Sequence, residues 1–383
     1  MIHGCTGLKN SGDEAILQTI VEQYGREYEI TAISKHVAYT KKMHPDIHVI
    51  PDEKALCRAA IAECDLFLMG GGGLLQDETT IFNVAVWLRY LKYALKLKKK
   101  VCLYGNSIGP LNYKANHYLV KEYLKHVDLI TLRDEDSAKL LQEIGAYRKG
   151  RVFVTADPVF SMKWEKKQEK EAAAEEEPYV CMALRHWYDM VPLIPAKICS
   201  KYHIRMPGDK KRYEDYIRTM AACTEYVNRE LGWKVVFLSF YYGRDEKVAK
   251  DIMAAVTPTP GIQNTLVSEE YLRPEQMLGI LSHARLLISM RLHSMIYAIK
   301  AGVPVVILDY SSKVKGMAEL NGLEEYSVSM KELSVEKLKK KIRKVLKEEK
   351  EIKEKLHHQQ ECMEEREKKN KMLLRHLMKD QEA

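Results

Sequence analysis

The sequence predicts an α/β protein: two doubly wound domains in tandem, each built on a parallel sheet, followed by a charged helical tail. Three observations carry that expectation. Short β-branched or apolar runs alternate with Gly/Asn/Asp/Ser loops and longer segments of helical period along most of the chain, which is the βαβ signature. The chain has 383 residues, 46% hydrophobic and 30% charged, enough apolar material for two cores of ordinary size. One stretch between Trp164 and Pro178, EKKQEKEAAAEEE, lacks any branched apolar residue and so cannot join a core.

Taken in order, strands are expected at residues 29–34, 65–69, 100–104, 127–132 and 151–155, with helices at 13–24, 53–63, 81–97, 116–125 and 135–144. After the linker the pattern resumes with strands at 179–184, 234–239, 286–290 and 304–309 and helices at 212–231, 244–255, 274–284 and 294–301. The division is therefore residues 1–164, a linker at 165–178, a second domain at 179–330 and a tail at 331–383. In the tail Leu338, Ile342, Val345, Leu346, Ile352 and Leu356 recur among Lys and Glu at helical spacing. Beyond Gln359 the regularity weakens, and that last segment is expected to be dispensable for turnover.

The net charge is +8, and from Lys331 onward seventeen basic residues face twelve acidic ones, so the tail holds most of the excess. A mildly basic body argues against a dedicated duplex-DNA binder and leaves room for anionic small molecules or an anionic membrane surface. The eight cysteines show no C-x-x-C pair and read as reduced thiols. The longest apolar stretch, 286–308, is broken by Arg291, His293 and Lys300, and no signal peptide is visible. The expected location is cytoplasmic, with any membrane contact peripheral, at the inner face and through the basic tail.

The chemistry-bearing residues fall where strands end, the ligand edge of an open α/β sheet. Gly70-Gly71-Gly72-Gly73 follows the 65–69 run, Asn106 and Gly109-Pro110 the 100–104 run, Arg133-Asp134 the 127–132 run, and Asp157-Pro158 the 151–155 run. Arg185-His186, Arg291-Leu292-His293 and Lys313 follow strands of the second half. Four glycines together favour close approach of backbone to a ligand. Gly4, Gly7 and Gly12 open a helix without matching a dinucleotide or P-loop fingerprint. There Asn10 or Ser11 can cap, and Asp13 and Glu14 complement the dipole or take protons from hydroxyls. At the end of an extended run Arg291 and His293 share a face, and Ser294 occupies a helix N-cap position suited to an anion. With no H-E-x-x-H or D-x-D motif and no spaced partners for His357-His358, no metal site is expected.

The ordered set formed by the Gly7 to Glu14 loop, the Asp65 to Leu74 run, Ile108-Gly109-Pro110, Arg133-Asp134 with Ser137, Asp157-Pro158 and Arg291-Leu292-His293-Ser294 resembles the polysaccharide pyruvyl transferases over most of the chain. Within that family it is most similar to enzymes of secondary cell-wall polysaccharide. The resemblance implies a GT-B-like fold, two Rossmann-like domains facing a cleft, and transfer of the pyruvyl unit of phosphoenolpyruvate (PEP) to a sugar as a cyclic ketal, with release of phosphate. It implies Arg133, Arg291, His293 and Lys313 as PEP ligands, with Arg185 helping; the residue reading adds Ser294 at the anion site and makes His293 and Asp13 the expected catalytic groups. Asn10, Glu14, Gly71, Gly72, Asn106 and Asp157 are the expected contacts to the acceptor, a saccharide on a lipid carrier. PEP is a co-substrate, so no cofactor is expected, and no nucleic-acid partner. The residues fit independently: a phosphate and a carboxylate call for convergent cations, and a histidine serves acid and base steps near neutral pH. A nucleotide-sugar-dependent glycosyltransferase on the same fold is the competing class, and a non-catalytic glycan or nucleotide binder is a third.

Overall fold

A computed structural model describes residues 1–165, 177–187, 194 and 206–379. The predicted linker lies almost entirely outside the described residues, as does Cys199. The chain divides into two compact units, one containing Met1–Lys163 and Cys362–Ala383, the other Trp164–Asp189 and Arg205–Glu361.

The first unit is an eight-stranded sheet: β1 (Ile2–His3), β2 (Thr31–Ser34), β3 (His48–Pro51), β4 (Leu66–Met69), β5 (Gly72–Leu75), β6 (Lys100–Ile108), β7 (Leu129–Leu132) and β8 (Val152–Val154). Its order is β3-β2-β1-β4-β6-β7-β8, with β5 added beside the far half of β6, and every pairing is parallel. Helices α1 (Ser11–Tyr24), α2 (Val37–Met43), α3 (Lys54–Glu63), α4 (Asn83–Lys96), α5 (Lys114–Leu124) and α6 (Glu135–Glu143) connect the strands. Both faces of such a sheet are covered, so its strands read as continuous apolar runs. Leu-Phe-Leu-Met in β4 and Leu-Ile-Thr-Leu in β7 are of that kind.

The second unit repeats the design with six parallel strands: β9 (Tyr179–Ala183), β10 (Lys234–Leu238), β11 (Thr265–Val267), β12 (Leu286–Ser289), β13 (Val305–Asp309) and β14 (Ser327–Ser329), in the order β11-β10-β9-β12-β13-β14. Its helices are α7 (Asp209–Glu230), α8 (Asp245–Ala255), α9 (Pro274–Ser282), α10 (Leu292–Ala301), α11 (Ser312–Leu320) and α12 (Val335–Lys347). In both units the strand order reverses beside the first strand, between β1 and β4 and between β9 and β12, and such a switch point is where open α/β sheets bind ligands.

The tail departs from expectation. The last helix, α13, runs unbroken from Glu349 to Lys379, and its residues from Cys362 belong to the first unit. Asn370 accepts from the Thr155 hydroxyl at 2.7 Å and donates to the Ala156 carbonyl at 3.0 Å. Glu367 accepts from Gln23 at 3.1 Å and from the Ser161 hydroxyl, and Leu374 is buried alongside. The inward stripe here is partly polar, so hydropathy loses it although it is fully packed. The seven described cysteines are free thiols. Among the described residues no helix is long and apolar enough to cross a membrane, and no three His, Cys, Asp or Glu side chains group as metal ligands.

Candidate active site

Two clusters of polar side chains stand at the carboxyl ends of the strands, one in each unit. In the first unit β1 and β4 are in register at His3 and Met69, so the loops starting at Gly4 and Gly70 leave the sheet together. Asn10 caps α1, its side chain accepting from the Gly12 N–H at 3.2 Å. Gly7 has φ +77°, and a Cβ there would sit 2.3 Å from Ser34 Oγ; only glycine fits. Its N–H donates to Glu14 Oε1 at 2.9 Å, so Glu14 reaches back from α1 and pins the loop. Glu14 is 1% exposed. Burial pushes its carboxyl up to about 8, with the Gly7 N–H opposing the rise and the Asp13 charge adding to it, and its Oε2 has no hydrogen-bond partner among the described residues.

The glycine run is extended rather than a simple loop, since β5 begins at Gly72 and pairs it with Asn106. A Cβ at Gly71 would meet the Gly105 and Tyr104 carbonyls at 3.1 and 3.2 Å, and one at Gly72, where φ is +93°, would lie 3.3 Å from Asp13 Oδ1. The close neighbours are the protein's own atoms, so packing accounts for Gly71, while Gly72 brings backbone against the Asp13 carboxylate. Asn106 is buried and donates to the Met69 carbonyl at 3.0 Å, and its Oδ1 has no partner among the described residues. Asp13, Glu14, Gly72 and Asn106 are thus assembled on one edge.

Arg133 and Asp157 are placed differently. The guanidinium donates to Asp157 Oδ2 at 2.6 Å and to Ser107 Oγ at 2.6 Å, and the two charged side chains are 3% and 0% exposed. Their charges face each other inside the first unit. Asp134 caps α6 through the Ser137 N–H at 2.8 Å, and the Ser137 hydroxyl accepts from the Ile108 N–H at 2.7 Å, so these motif residues join strand ends to helix.

In the second unit Ala183 pairs with Ser289 and Ser289 with Ile307. Arg185, Arg291 and Lys313 therefore follow the carboxyl ends of three neighbouring strands. Arg185 donates to Tyr310 Oη at 2.8 Å with its guanidinium 4.9 Å from the centre of that ring. Arg291 gives Nε (3.1 Å) and Nη2 to the two oxygens of Asp245. Asp245 also accepts from the Tyr241 N–H at 3.0 Å, and burial raises its carboxyl pKa against the pull of Arg291. His186 stacks on Tyr213 at 4.4 Å.

Two local expectations need correction. Arg291 itself is the N-cap of α10, with no side-chain capping bond. Ser294 lies one turn in, buried, its hydroxyl bonded to Ser289 Oγ at 2.6 Å and the Arg291 carbonyl at 2.8 Å. Because the strand ends at Ser289, strand alternation does not align Arg291 with His293, which stands half-buried in the first turn of α10. Lys313 is likewise in the first turn of a helix, α11, capped by Ser311.

Nothing in the sequence marks His3, a lone histidine near the start. It is 2% exposed, ringed by Phe67, Trp87 and Tyr90 at 5.0 to 5.9 Å, and burial pushes its pKa down to about 3. Asp245 was equally silent, because an acidic residue in a first helical turn is ordinary.

The family model for Polysaccharide pyruvyl transferase matches residues 10–312. Amylovoran biosynthesis protein AmsJ of Erwinia amylovora is 26% identical over 252 residues, covering 63% of this chain; the match spans 56% of that relative's length. Among solved structures, the UDP-GlcNAc 2-epimerase of Neisseria meningitidis bound to UDP-GlcNAc superposes with a TM-score of 0.62 at 13% identity over 99% of both chains. A glycosyltransferase of Rickettsia africae does so at 0.54 and 11%, over 98% of this chain and 96% of its own. At such identity these two share the fold, a GT-B-like pair of Rossmann units.

Proposed function

The chain belongs to the polysaccharide pyruvyl transferase family, and from that premise we propose that it transfers the pyruvyl group of PEP to a sugar of a cell-wall or exopolysaccharide precursor, forming a cyclic ketal and releasing phosphate. The observation that carries this reading is the row of Arg185, Arg291 and Lys313 after three neighbouring strands of the second unit. A ligand with both a phosphate and a carboxylate suits several fixed cations, and guanidinium groups suit each in bidentate fashion.

In the proposed reaction His293 delivers a proton to C3 of PEP, giving C2 cationic character. One sugar hydroxyl attacks C2, the C2–O bond to phosphate breaks, and a second hydroxyl closes the ketal. Two hydroxyl protons are released: one balances the proton placed on C3, the other leaves with phosphate. Asp13 takes hydroxyl protons, while Glu14, kept protonated at neutrality by its raised pKa, hydrogen-bonds a sugar hydroxyl. Asn10, Gly72 and Asn106 form the acceptor surface, whereas Gly71 is accounted for by packing. Arg133 and Asp157 act by holding Ser107 and the strand ends, their charges being committed to each other. Asp245 acts as a positioning residue for Arg291. The acceptor is lipid-linked, and the enzyme works on the cytoplasmic side of the membrane.

The test is acceptor-dependent phosphate release from PEP, with mass analysis of the product. Arg291→Ala should raise the KM for PEP, and His293→Ala should chiefly lower kcat. Release of UDP from a UDP-sugar, with no phosphate from PEP, would replace this reading by glycosyl transfer.

A further inference from the structure

A second charged feature lies at the opposite edge of the first sheet. Lys92, Lys96, Lys98, Lys99, Lys100 and His126 line a shallow cavity of about 530 Å³ where α4 ends and β6 begins. Two carboxylates share it, and both are occupied: Glu122 accepts from Lys125 at 2.7 Å, and Asp128 from the Val101 N–H at 2.9 Å. Among the described residues Lys92, Lys96, Lys98 and Lys99 form no ion pair, and Lys100 donates only to the Leu377 carbonyl, at 2.6 Å.

Ordinary helix chemistry does not account for this. A lysine in a last turn complements the helix dipole, which covers Lys96 but neither Lys92 nor the three that follow. Like charges this close repel one another. Lys98 moreover adopts φ 55°, the left-handed region where glycine is the unstrained choice. The turn therefore holds a lysine where relief was available.

We propose that this lysine face is a docking surface for an anionic phospholipid membrane. Every cation in the run is lysine, and lysine is a hydrated point charge that imposes no fixed geometry. That suits a diffuse layer of phosphate headgroups better than one oriented ligand. Leu97, in the middle of the run, is 37% exposed, an apolar side chain placed to enter the interfacial layer beneath the headgroups. The Lys100 to Leu377 bond brings the end of α13 beside the turn. The surface lies at the amino end of β6, whereas Asn106 and the loops of the candidate acceptor site are at its carboxyl end. Docking leaves those loops clear, so the inference stands independently of the proposed reaction.

The experiment is sedimentation of the full-length protein with vesicles of phosphatidylglycerol in phosphatidylcholine, and of phosphatidylcholine alone, at low and raised salt. The variant combines Lys96→Ala, Lys98→Ala and Lys99→Ala; a control removes three exposed lysines elsewhere, Lys340→Ala, Lys347→Ala and Lys350→Ala. The expected result is binding only to the anionic vesicles, weakened by salt and reduced roughly fivefold for each lysine removed from the turn. The control should bind nearly as the parent does, and thermal melts should show all three folded. Equal vesicle binding by parent and turn variant overturns the proposal. So does equal loss in the control, which would reduce the effect to net charge. Direct binding of inorganic phosphate or heparin with no sedimentation on anionic vesicles would identify a soluble anion instead, and also overturns it.

Discussion

Replacing Asp245 by alanine tests the second-unit cluster most directly. Asp245 is 3% exposed and Arg291 15% as side chains, and the carboxylate accepts two bonds from the guanidinium and one from the Tyr241 N–H. Removing one member of a buried pair costs about 3–5 kcal/mol, and the residual exposure of Arg291 places this case near 3. A unit of this size melts about 2–4 °C lower per kcal/mol, so Asp245→Ala should melt about 6–12 °C below the parent. Arg291 would keep its charge and lose its orientation. Losing one directed, charge-assisted hydrogen bond to PEP is worth about 1.5–3 kcal/mol, which is roughly a 10- to 150-fold rise in KM for PEP. Asp245→Asn retains an acceptor for Tyr241 and for one guanidinium nitrogen, and should fall between parent and alanine in both measurements. Thermal unfolding and initial rates against PEP concentration supply the readouts. A folded Asp245→Ala protein with a PEP KM within about twofold of the parent would refute the claim that Asp245 orients Arg291 toward the substrate.

The other expectations concern the first unit. Glu14 is protonated in the fold up to about pH 8 but ionises near its ordinary value in the unfolded chain, so the native state holds the extra proton between those limits and stability falls as pH rises through them; Glu14→Gln should flatten that fall in melting temperature from about pH 5 to 8, and an unchanged slope would count against the burial. Gly7→Ala should destabilise clearly more than Gly150→Ala: both positions have positive φ, worth about 1–2 kcal/mol with any side chain, but only at Gly7 does the new Cβ strike Ser34 Oγ, at 2.3 Å, and equal melting shifts would contradict that contact. Truncation after Gln359 should unfold or insolubilise the first unit, because it strips Glu367, Asn370 and Leu374 from buried positions; a soluble truncated protein with the parent's melting profile would restore the tail to a dispensable role.

What the sequence by itself determined is the alternation of buried strands and amphipathic helices, because a parallel sheet covered on both faces needs continuous apolar runs such as Val305–Asp309. It also determined that unusual polar residues gather at strand ends, since loops there are free of the packing that fixes the strands. Elements too short or too polar to stand above the background stayed hidden: the two-residue β1, the edge strands His48–Pro51, Thr265–Val267 and Ser327–Ser329, and the half of α13 whose inward stripe includes Glu367 and Asn370. Pairings across long sequence separations were decided only in three dimensions. Nothing local assigns Arg133 to Asp157, Arg291 to Asp245, or Asp77 to the Asn112, Tyr113 and Asn116 donors that it gathers. A charged side chain reads the same in sequence whether it meets solvent, ligand or a buried counter-ion. Its partner is fixed by which strand ends the topology brings side by side, and that is a property of the tertiary fold.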